Sequence, residues 1–151
     1  MLRTRLKEAL GAAMKERETT AVATLRLILA ALKDRDIAAR GKGNLGGIPD
    51  EAILDLLQSM IRQRHESIDL YRTAERLDLA QKEAEEIEVI QRFLPAQMDD
   101  EEVESAVGET IAELKATSLK DMGRTMAALK ERFAGRMDFA KASAIVKQQL
   151  T

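Results

Sequence analysis

The sequence has no cysteine, no tryptophan, one histidine and two prolines among its 151 residues. Without cysteine the chain has no disulfide, no thiol nucleophile and no thiolate-ligated zinc. A single histidine excludes a multi-histidine metal site. The four aromatic residues, three phenylalanines and one tyrosine, leave little material for stacking on nucleic-acid bases. The sequence therefore predicts no catalytic residue, no metal ligand and no cofactor.

Long apolar runs are missing as well. The longest run, residues 27–32, has six residues, whereas crossing a bilayer takes about 20. Residues 1–7 contain no apolar stretch of the signal-peptide kind. The net charge of −2 gives no general attraction to nucleic acid or to acidic membranes. These features predict a cytoplasmic protein without a membrane partner.

Helix-forming residues are abundant instead. Alanine, leucine, glutamate, lysine and arginine supply 82 of the 151 residues, whereas valine, tyrosine and tryptophan are scarce. Apolar residues recur at spacings of three and four in seven segments, which begin near residues 2, 19, 50, 77, 100, 119 and 139. The pattern predicts an all-α fold with a four-helix N-terminal part and a small three-helix C-terminal domain.

Turn signals set the predicted boundaries. Residues 41–47 hold four of the eight glycines and are predicted to form a loop. A phosphate-binding Walker loop is disfavoured there, because Lys42 is followed by glycine rather than serine or threonine. The second helix is predicted to start at Thr19 or Thr20, either of which can cap it, and the fourth helix is predicted over 77–93. Pro95 then divides the chain into domains 1–95 and 96–151.

The charges are unevenly distributed in the second domain. Residues 99–113 carry seven acids and no base, whereas residues 115–147 carry eight bases and three acids. Phosphate binding by a basic patch is one interpretation of this excess, and a solvated face is the other. Phe133 and Phe139 lie on apolar stripes, so RNA would be recognised by its backbone and shape. The candidate RNA-binding residues are Lys120, Arg124, Lys130, Arg132, Arg136, Lys141 and Lys147.

A second polar cluster surrounds the turn between the third and fourth helices. An inter-helix network of ion pairs and an anionic ligand site both fit this cluster. His65 borders the apolar stripe, which favours a structural role over catalysis. The glutamates over 83–88 are typical of a solvated or ion-paired face, because the fourth helix has no histidine to complete a di-metal site. The residues of the cluster are Arg64, Glu66, Tyr71, Arg76 and Asp78.

Several motifs follow one another in order along the chain: 24–27 (Thr-Leu-Arg-Leu), the glycine-rich loop, 63–87 with Gln-Arg-x-Glu-Ser-Ile at its start, 93–97 (Phe-Leu-Pro-x-Gln), 120–126 (Lys-Asp-Met-Gly-x-x-Met) and 135–138 (Gly-Arg-x-Asp). In this collinear order the chain resembles the YqeY family over nearly its whole length. Two positions depart from the family pattern. Glu75 stands where the family usually has glycine, and Met137 stands where a small residue is usual.

The resemblance implies an all-α protein whose C-terminal part is similar to the tail domain of the B subunit of glutamyl/aspartyl-tRNA amidotransferase. It implies a tRNA-linked role, with tRNA and an amidotransferase or aminoacyl-tRNA synthetase as partners. No residues match the amidase or kinase-like chemistry of that enzyme. A non-catalytic tRNA-binding or accessory module is the first hypothesis.

Two alternatives remain open. One is an enzyme, or an enzyme accessory, in glutamine-dependent amide (carbon–nitrogen ligase) chemistry that uses the polar cluster. The other is a protein–protein adaptor. Gly123, at the start of the sixth helix, fits either close approach of a phosphate or tight helix packing.

Overall fold

Seven α-helices and one short 3₁₀ helix form the computed structural model, which describes all residues, 1–151. No strand is present, so the predicted all-α class is confirmed. The chain forms two compact units, Met1–Leu94 and Pro95–Thr151. The N-terminal unit holds α1 (Leu2–Lys15), α2 (Thr19–Gly41), α3 (Asp50–Thr73) and α4 (Leu77–Gln91). The C-terminal unit holds α5 (Asp100–Leu114), the 3₁₀ helix (Leu119–Asp121), α6 (Met122–Arg132) and α7 (Phe139–Leu150).

The apolar faces of the first four helices meet in one core. Leu6, Ile28, Ile53, Leu57 and Ile90 are completely buried there. Burying each such side chain contributes about 1.5–3 kcal/mol. A smaller cluster, formed by Ile68, Ala80 and Ile87 with Tyr71 packed against it, joins α3 to α4. These two helices therefore form a tight hairpin.

The C-terminal unit has its own core. Val107, Leu129, Met137 and Val146 are completely buried in it, and the two phenylalanines of this unit pack against it. Side chains cap the helix starts of this unit. The Asp99 carboxylate accepts from the Glu102 N–H at 2.8 Å, the Asp138 carboxylate accepts at the start of α7, and Ser118 forms a capping box with Asp121.

One predicted helix boundary and one predicted cap are wrong. The α4 helix ends at Gln91 instead of residue 93, because the N–H groups of Phe93 and Leu94 bond to carbonyls three residues back and tighten the last turn before Pro95. The α2 helix begins at Thr19 as predicted, but neither Thr19 nor Thr20 caps it. Glu18 occupies the cap position, and its side chain makes no capping hydrogen bond. Its N–H bonds to the Ala13 carbonyl and closes the turn after α1, which places Glu18 rather than a threonine before the helix.

Glu75 adopts a left-handed backbone with φ of +58°. Its N–H bonds to the Arg72 carbonyl at 3.1 Å, and the Arg76 N–H bonds to the Tyr71 carbonyl at 2.8 Å. This pair of bonds is the Schellman motif, which normally has glycine at the left-handed position. The turn thus keeps its geometry without glycine, at a cost of about 1–2 kcal/mol.

We expect Glu75→Gly to raise the free energy of unfolding of the N-terminal unit by about 0.5–1 kcal/mol, because glycine removes the left-handed penalty but has more freedom when unfolded. Tyr71 is the only tyrosine of a chain without tryptophan. Urea unfolding followed by tyrosine fluorescence therefore reports on this unit. Glu75→Ala keeps the penalty and is the control. An equal gain for alanine would show that the backbone conformation is not the cause.

Candidate functional site

Four of the seven predicted RNA-binding residues contact other groups of the C-terminal unit. Arg124 lies 3.0 Å from Asp121, Arg132 lies 2.5 Å from Glu113 and Lys141 lies 3.2 Å from Asp100. The Arg136 Nε donates to the carbonyl of Ala96 at 3.2 Å. Four of the eight bases over 115–147 are therefore partnered within the unit itself.

The remaining three, Lys120, Lys130 and Lys147, are exposed and take part in no ion pair. Lys115, which sequence reasoning did not single out, is also exposed and unpaired. It follows α5 in a left-handed conformation with φ of +53°. The sequence feature that could have identified Lys115 is its position just after the acidic residues of 99–113. We call Lys115, Lys120, Lys130 and Lys147 the free lysines.

The basic residues of α6 and α7 do not share one face of their helices. Arg124 and Lys130 are six residues apart on α6, and Lys141 and Lys147 are six apart on α7. At about 100° per residue, members of each pair point about 120° apart. A phosphate-bearing partner would therefore contact these helices through separate charges that point in different directions, and not through one row of charges on a single helix face.

The start of α6 is occupied by a carboxylate of the chain itself. Asp121 accepts from the Thr117 N–H at 2.9 Å and from the Arg124 Nε at 3.0 Å. The Thr117 N–H and then Arg124 hold the pKa of this carboxyl below its usual value. Gly123 is exposed, and a Cβ there would meet nothing within 4 Å. Close packing of α6 against another helix therefore does not explain the glycine at position 123.

The acidic side of this unit forms a shallow groove of about 420 Å³. Asp99, Glu102 and Glu109 line it together with Phe133 and Arg136. Its carboxylates repel phosphate, so they restrict where an RNA can approach the unit.

Arg64 makes the most buried ion pair of the predicted polar cluster. Its Nε donates to Glu86 Oε2 of α4 at 2.9 Å, and its Nη1 donates to the Met60 carbonyl at 3.1 Å. Only 12% of the Arg64 side chain and 13% of the Glu86 side chain are exposed. Arg64 thus connects α3 to α4.

Glu83 is a second carboxylate beside this pair. Its Oε2 lies 3.9 Å from Arg64 Nε. Burial, reinforced by the charge of Glu86, raises the pKa of Glu83 above its usual value despite the nearby guanidinium. The site therefore holds two carboxylates and one cation in a poorly hydrated space.

The other members of the cluster lie elsewhere on the hairpin. Arg76 pairs with Asp78 at the start of α4 at 3.3 Å, and both side chains are more than half exposed. Tyr71 packs against the small apolar cluster, whereas Glu66 and His65 are exposed. The structure brings together Arg76 with Asp78, and Arg64 with two glutamates outside the predicted set. The five residues do not form one convergent site.

Two further geometric findings concern ions and membranes. No three carboxylate or imidazole groups are grouped so as to hold a metal ion. None of the helices combines the length and apolar character that crossing a bilayer requires.

Comparison with known proteins gives a family and several fungal relatives. A family model described as Yqey-like protein matches residues 3–150. The "Altered inheritance of mitochondria protein 41, mitochondrial" of Lachancea thermotolerans is 31% identical over 75% of this chain and 59% of its own length. The protein of the same name from Eremothecium gossypii is 33% identical over 74% of this chain and 60% of its own length. The chain thus spans about three fifths of the length of these relatives.

These relatives correct one expectation. The predicted cytoplasmic location is contradicted, because the fungal proteins are named as mitochondrial, including a relative from Pyrenophora tritici-repentis that is 31% identical over 85% of this chain and 71% of its own length. The scarcity of long apolar runs, on which the expectation rested, does not distinguish the two compartments. The match over 3–150 covers both units and agrees with the motifs in the sequence. The chain belongs to the YqeY family.

Proposed function

We propose that the chain is a non-catalytic helical module that binds tRNA through the C-terminal unit. The observation that carries the proposal is the set of four free lysines in that unit, each exposed and without an acidic partner. Unpaired ammonium groups release counterions from phosphates when RNA binds, and this release drives sequence-independent association.

The partnered cations add to this surface. The Arg124, Arg132 and Lys141 side chains are 43–61% exposed, and such surface pairs contribute at most about 1 kcal/mol. An RNA phosphate can therefore replace their carboxylate partners at little cost. None of the four aromatic side chains is exposed, so base stacking plays no part and the contact is to backbone and shape.

A protein partner belongs to the same proposal. The C-terminal unit resembles the tail domain of the amidotransferase B subunit, and this resemblance supports a role beside a tRNA-dependent amidotransferase or an aminoacyl-tRNA synthetase. In this role the module holds tRNA while the chemistry takes place on the partner.

Filter binding of total tRNA to the full chain across a potassium chloride series tests the proposal. Each phosphate contact adds about −0.7 to −0.9 to the slope of log affinity against log salt. We expect a triple variant, Lys120→Ala with Lys130→Ala and Lys147→Ala, to bind at least tenfold more weakly near physiological salt. Its salt slope should become shallower by about two units, because up to three phosphate contacts are lost.

The N-terminal unit offers a matched control. Lys7, Lys15 and Lys82 are likewise exposed and in no ion pair, and their replacement by alanine removes the same total charge. This control triple should keep the affinity of the natural chain. Equal losses in the two triples, or no tRNA binding near physiological salt, would overturn the proposal.

A further inference from the structure

The outward face of α2 carries a regular seam that the fold leaves uncovered. Six exposed residues follow one another at spacings of four and three over most of the helix. This alternation is the heptad pattern by which one α-helix packs along another. The seam consists of Ala23, Leu27, Ala30, Asp34, Ile37 and Gly41.

The seam combines two large apolar residues with small ones. Leu27 is 49% exposed and Ile37 is 54% exposed, about 15 Å apart along the helix. Ala23, Ala30 and Gly41 are small enough to let another backbone approach closely. The buried face of the same helix, which includes Leu25, Ile28 and Leu32, packs against the core and is a separate stripe.

A row of cations runs along one side of the seam. Arg26, Lys33 and Arg40 are spaced by seven residues, are exposed and take part in no ion pair. On a helix with 3.6 residues per turn, residues seven apart lie nearly above one another. We call these three residues the basic row, and they occupy the flanking position that selects partners in helix pairs.

We propose that the α2 seam is a docking surface for an acidic amphipathic helix of another protein. The apolar stripe of that helix covers Leu27 and Ile37, and carboxylates beside the stripe face the basic row. This interaction goes beyond tRNA binding and uses none of the free lysines.

A second copy of this chain is a poor occupant. An antiparallel pair that stacks Leu27 on Ile37 places the Lys33 side chains of both copies on the same side of the seam. A parallel pair in register places Asp34 against Asp34. Like charges at such positions cost free energy and disfavour self-pairing in both directions.

Titration with two synthetic four-heptad peptides tests the inference. Both have leucine at the core positions, and the flanking positions are all glutamate in one and all lysine in the other, so that neither peptide pairs with itself. We expect the acidic peptide to bind the full chain at least tenfold more tightly than the basic peptide. In the chain with Arg26→Glu, Lys33→Glu and Arg40→Glu this order should be inverted.

Variants of the seam itself should change the affinity in opposite directions. Leu27→Ser with Ile37→Ser should weaken binding of the acidic peptide at least tenfold, whereas Asp34→Ala should strengthen it. Leu70→Ser with Leu77→Ser is the matched control, because those leucines are 71% and 68% exposed on the α3–α4 hairpin, and this pair should leave binding unchanged.

Other occupants give distinct results. Sedimentation should show a monomeric chain, and a dimer abolished by Leu27→Ser would assign the seam to self-association and overturn the inference. Binding of anionic lipid vesicles that is lost in the same variant would assign it to a membrane surface. Failure of both peptides to bind would also overturn the inference, while the tRNA result would be unaffected.

Discussion

Replacing Arg64 with alanine is expected to lower the free energy of unfolding of the N-terminal unit by about 2–4 kcal/mol at pH 7. Breaking a buried ion pair from one side costs about 3–5 kcal/mol when the other charge stays buried. Arg64 and Glu86 are each about one eighth exposed, which places them slightly below that range. The variant also loses the hydrogen bond to the Met60 carbonyl.

The loss should depend on pH in a defined direction. The pKa of Glu83 is already raised by burial and by Glu86, and removing the guanidinium takes away the charge that opposes this rise. A carboxyl whose folded pKa exceeds its unfolded pKa binds protons preferentially in the folded state. Stability therefore falls as pH rises through the folded pKa, and it returns as pH falls toward about 4.

Urea unfolding at pH 7 and at pH 4.5, followed by tyrosine fluorescence, measures both effects. We expect the deficit of Arg64→Ala relative to the natural chain to be smaller at pH 4.5. A deficit of equal size at both values would assign the whole effect to lost packing rather than to orphaned charge.

A double variant separates charge from packing. Arg64→Met keeps much of the side-chain volume, and Arg64→Met with Glu86→Gln also removes the orphaned carboxylate. We expect the double variant to be more stable than Arg64→Met alone, since neutral groups of similar shape tolerate burial better than an unpaired charge. Glu83→Gln in the natural chain should be stabilising at pH 7, because the neutral form is the one that this position favours.

The helices could be predicted from sequence because their signals are local. Apolar spacing, the Asp99 and Asp138 caps, and Pro95 each act within a few residues, and the structure has helices at all seven predicted segments. The wrong end of α4 and the wrong cap of α2 arise where a turn closes on itself. The Glu18 N–H bonds to the Ala13 carbonyl, and the Leu94 N–H bonds to the Gln91 carbonyl. Both are backbone bonds, and the residue types in these segments do not indicate them.

Ion-pair partners could not be predicted in the same way. Many acids lie within reach of Arg64 in sequence, such as Glu66 and Asp69, yet its partner is Glu86, 22 residues away on the next helix. Likewise, the sequence shows eight bases over 115–147 without showing which of them have acids opposite. Partner choice depends on how helices pack, and packing is set by the cores rather than by the charges.

The largest effect expected in the glycine-rich loop comes from Gly47→Ala, which should destabilise the N-terminal unit by about 3 kcal/mol. Arg3 and Asp36 form a bidentate pair at this point, and Asp36 Oδ1 also accepts from the Ile48 N–H at 2.9 Å. Arg3 in turn donates to the Ile48 carbonyl at 3.0 Å. These bonds fasten the end of the loop to α1 and α2.

Gly47 lies against this group of bonds with a left-handed φ of +83°. A Cβ there would lie 2.8 Å from Arg3 Nη2 and 2.9 Å from Asp36 Oδ1. Alanine therefore carries a left-handed penalty of about 1–2 kcal/mol and also displaces the ion pair, which adds a similar amount.

Two other loop glycines separate these contributions. Gly43 has φ of +94° but open space around its Cβ position, so Gly43→Ala should show the conformational penalty alone. Gly46 has no left-handed backbone, and its nearest neighbour, Asn44 Oδ1, is at 3.8 Å, so Gly46→Ala should be nearly neutral. Equal losses at Gly43 and Gly47 would show that the ion pair contributes nothing.

Acid titration gives an independent measure of the displaced pair. Hydrogen bonding from Arg3, and then from the Ile48 N–H, holds the pKa of Asp36 below its usual value in spite of its partial burial. A carboxyl with a lowered folded pKa stabilises the fold above its unfolded pKa of about 3.9, and this contribution is lost as pH falls through the folded pKa. The extra cost of Gly47→Ala over Gly43→Ala should therefore be constant from pH 5 to 7 and shrink below about pH 4. If the difference persists unchanged in acid, the penalty lies in the backbone and not in the contact with Asp36.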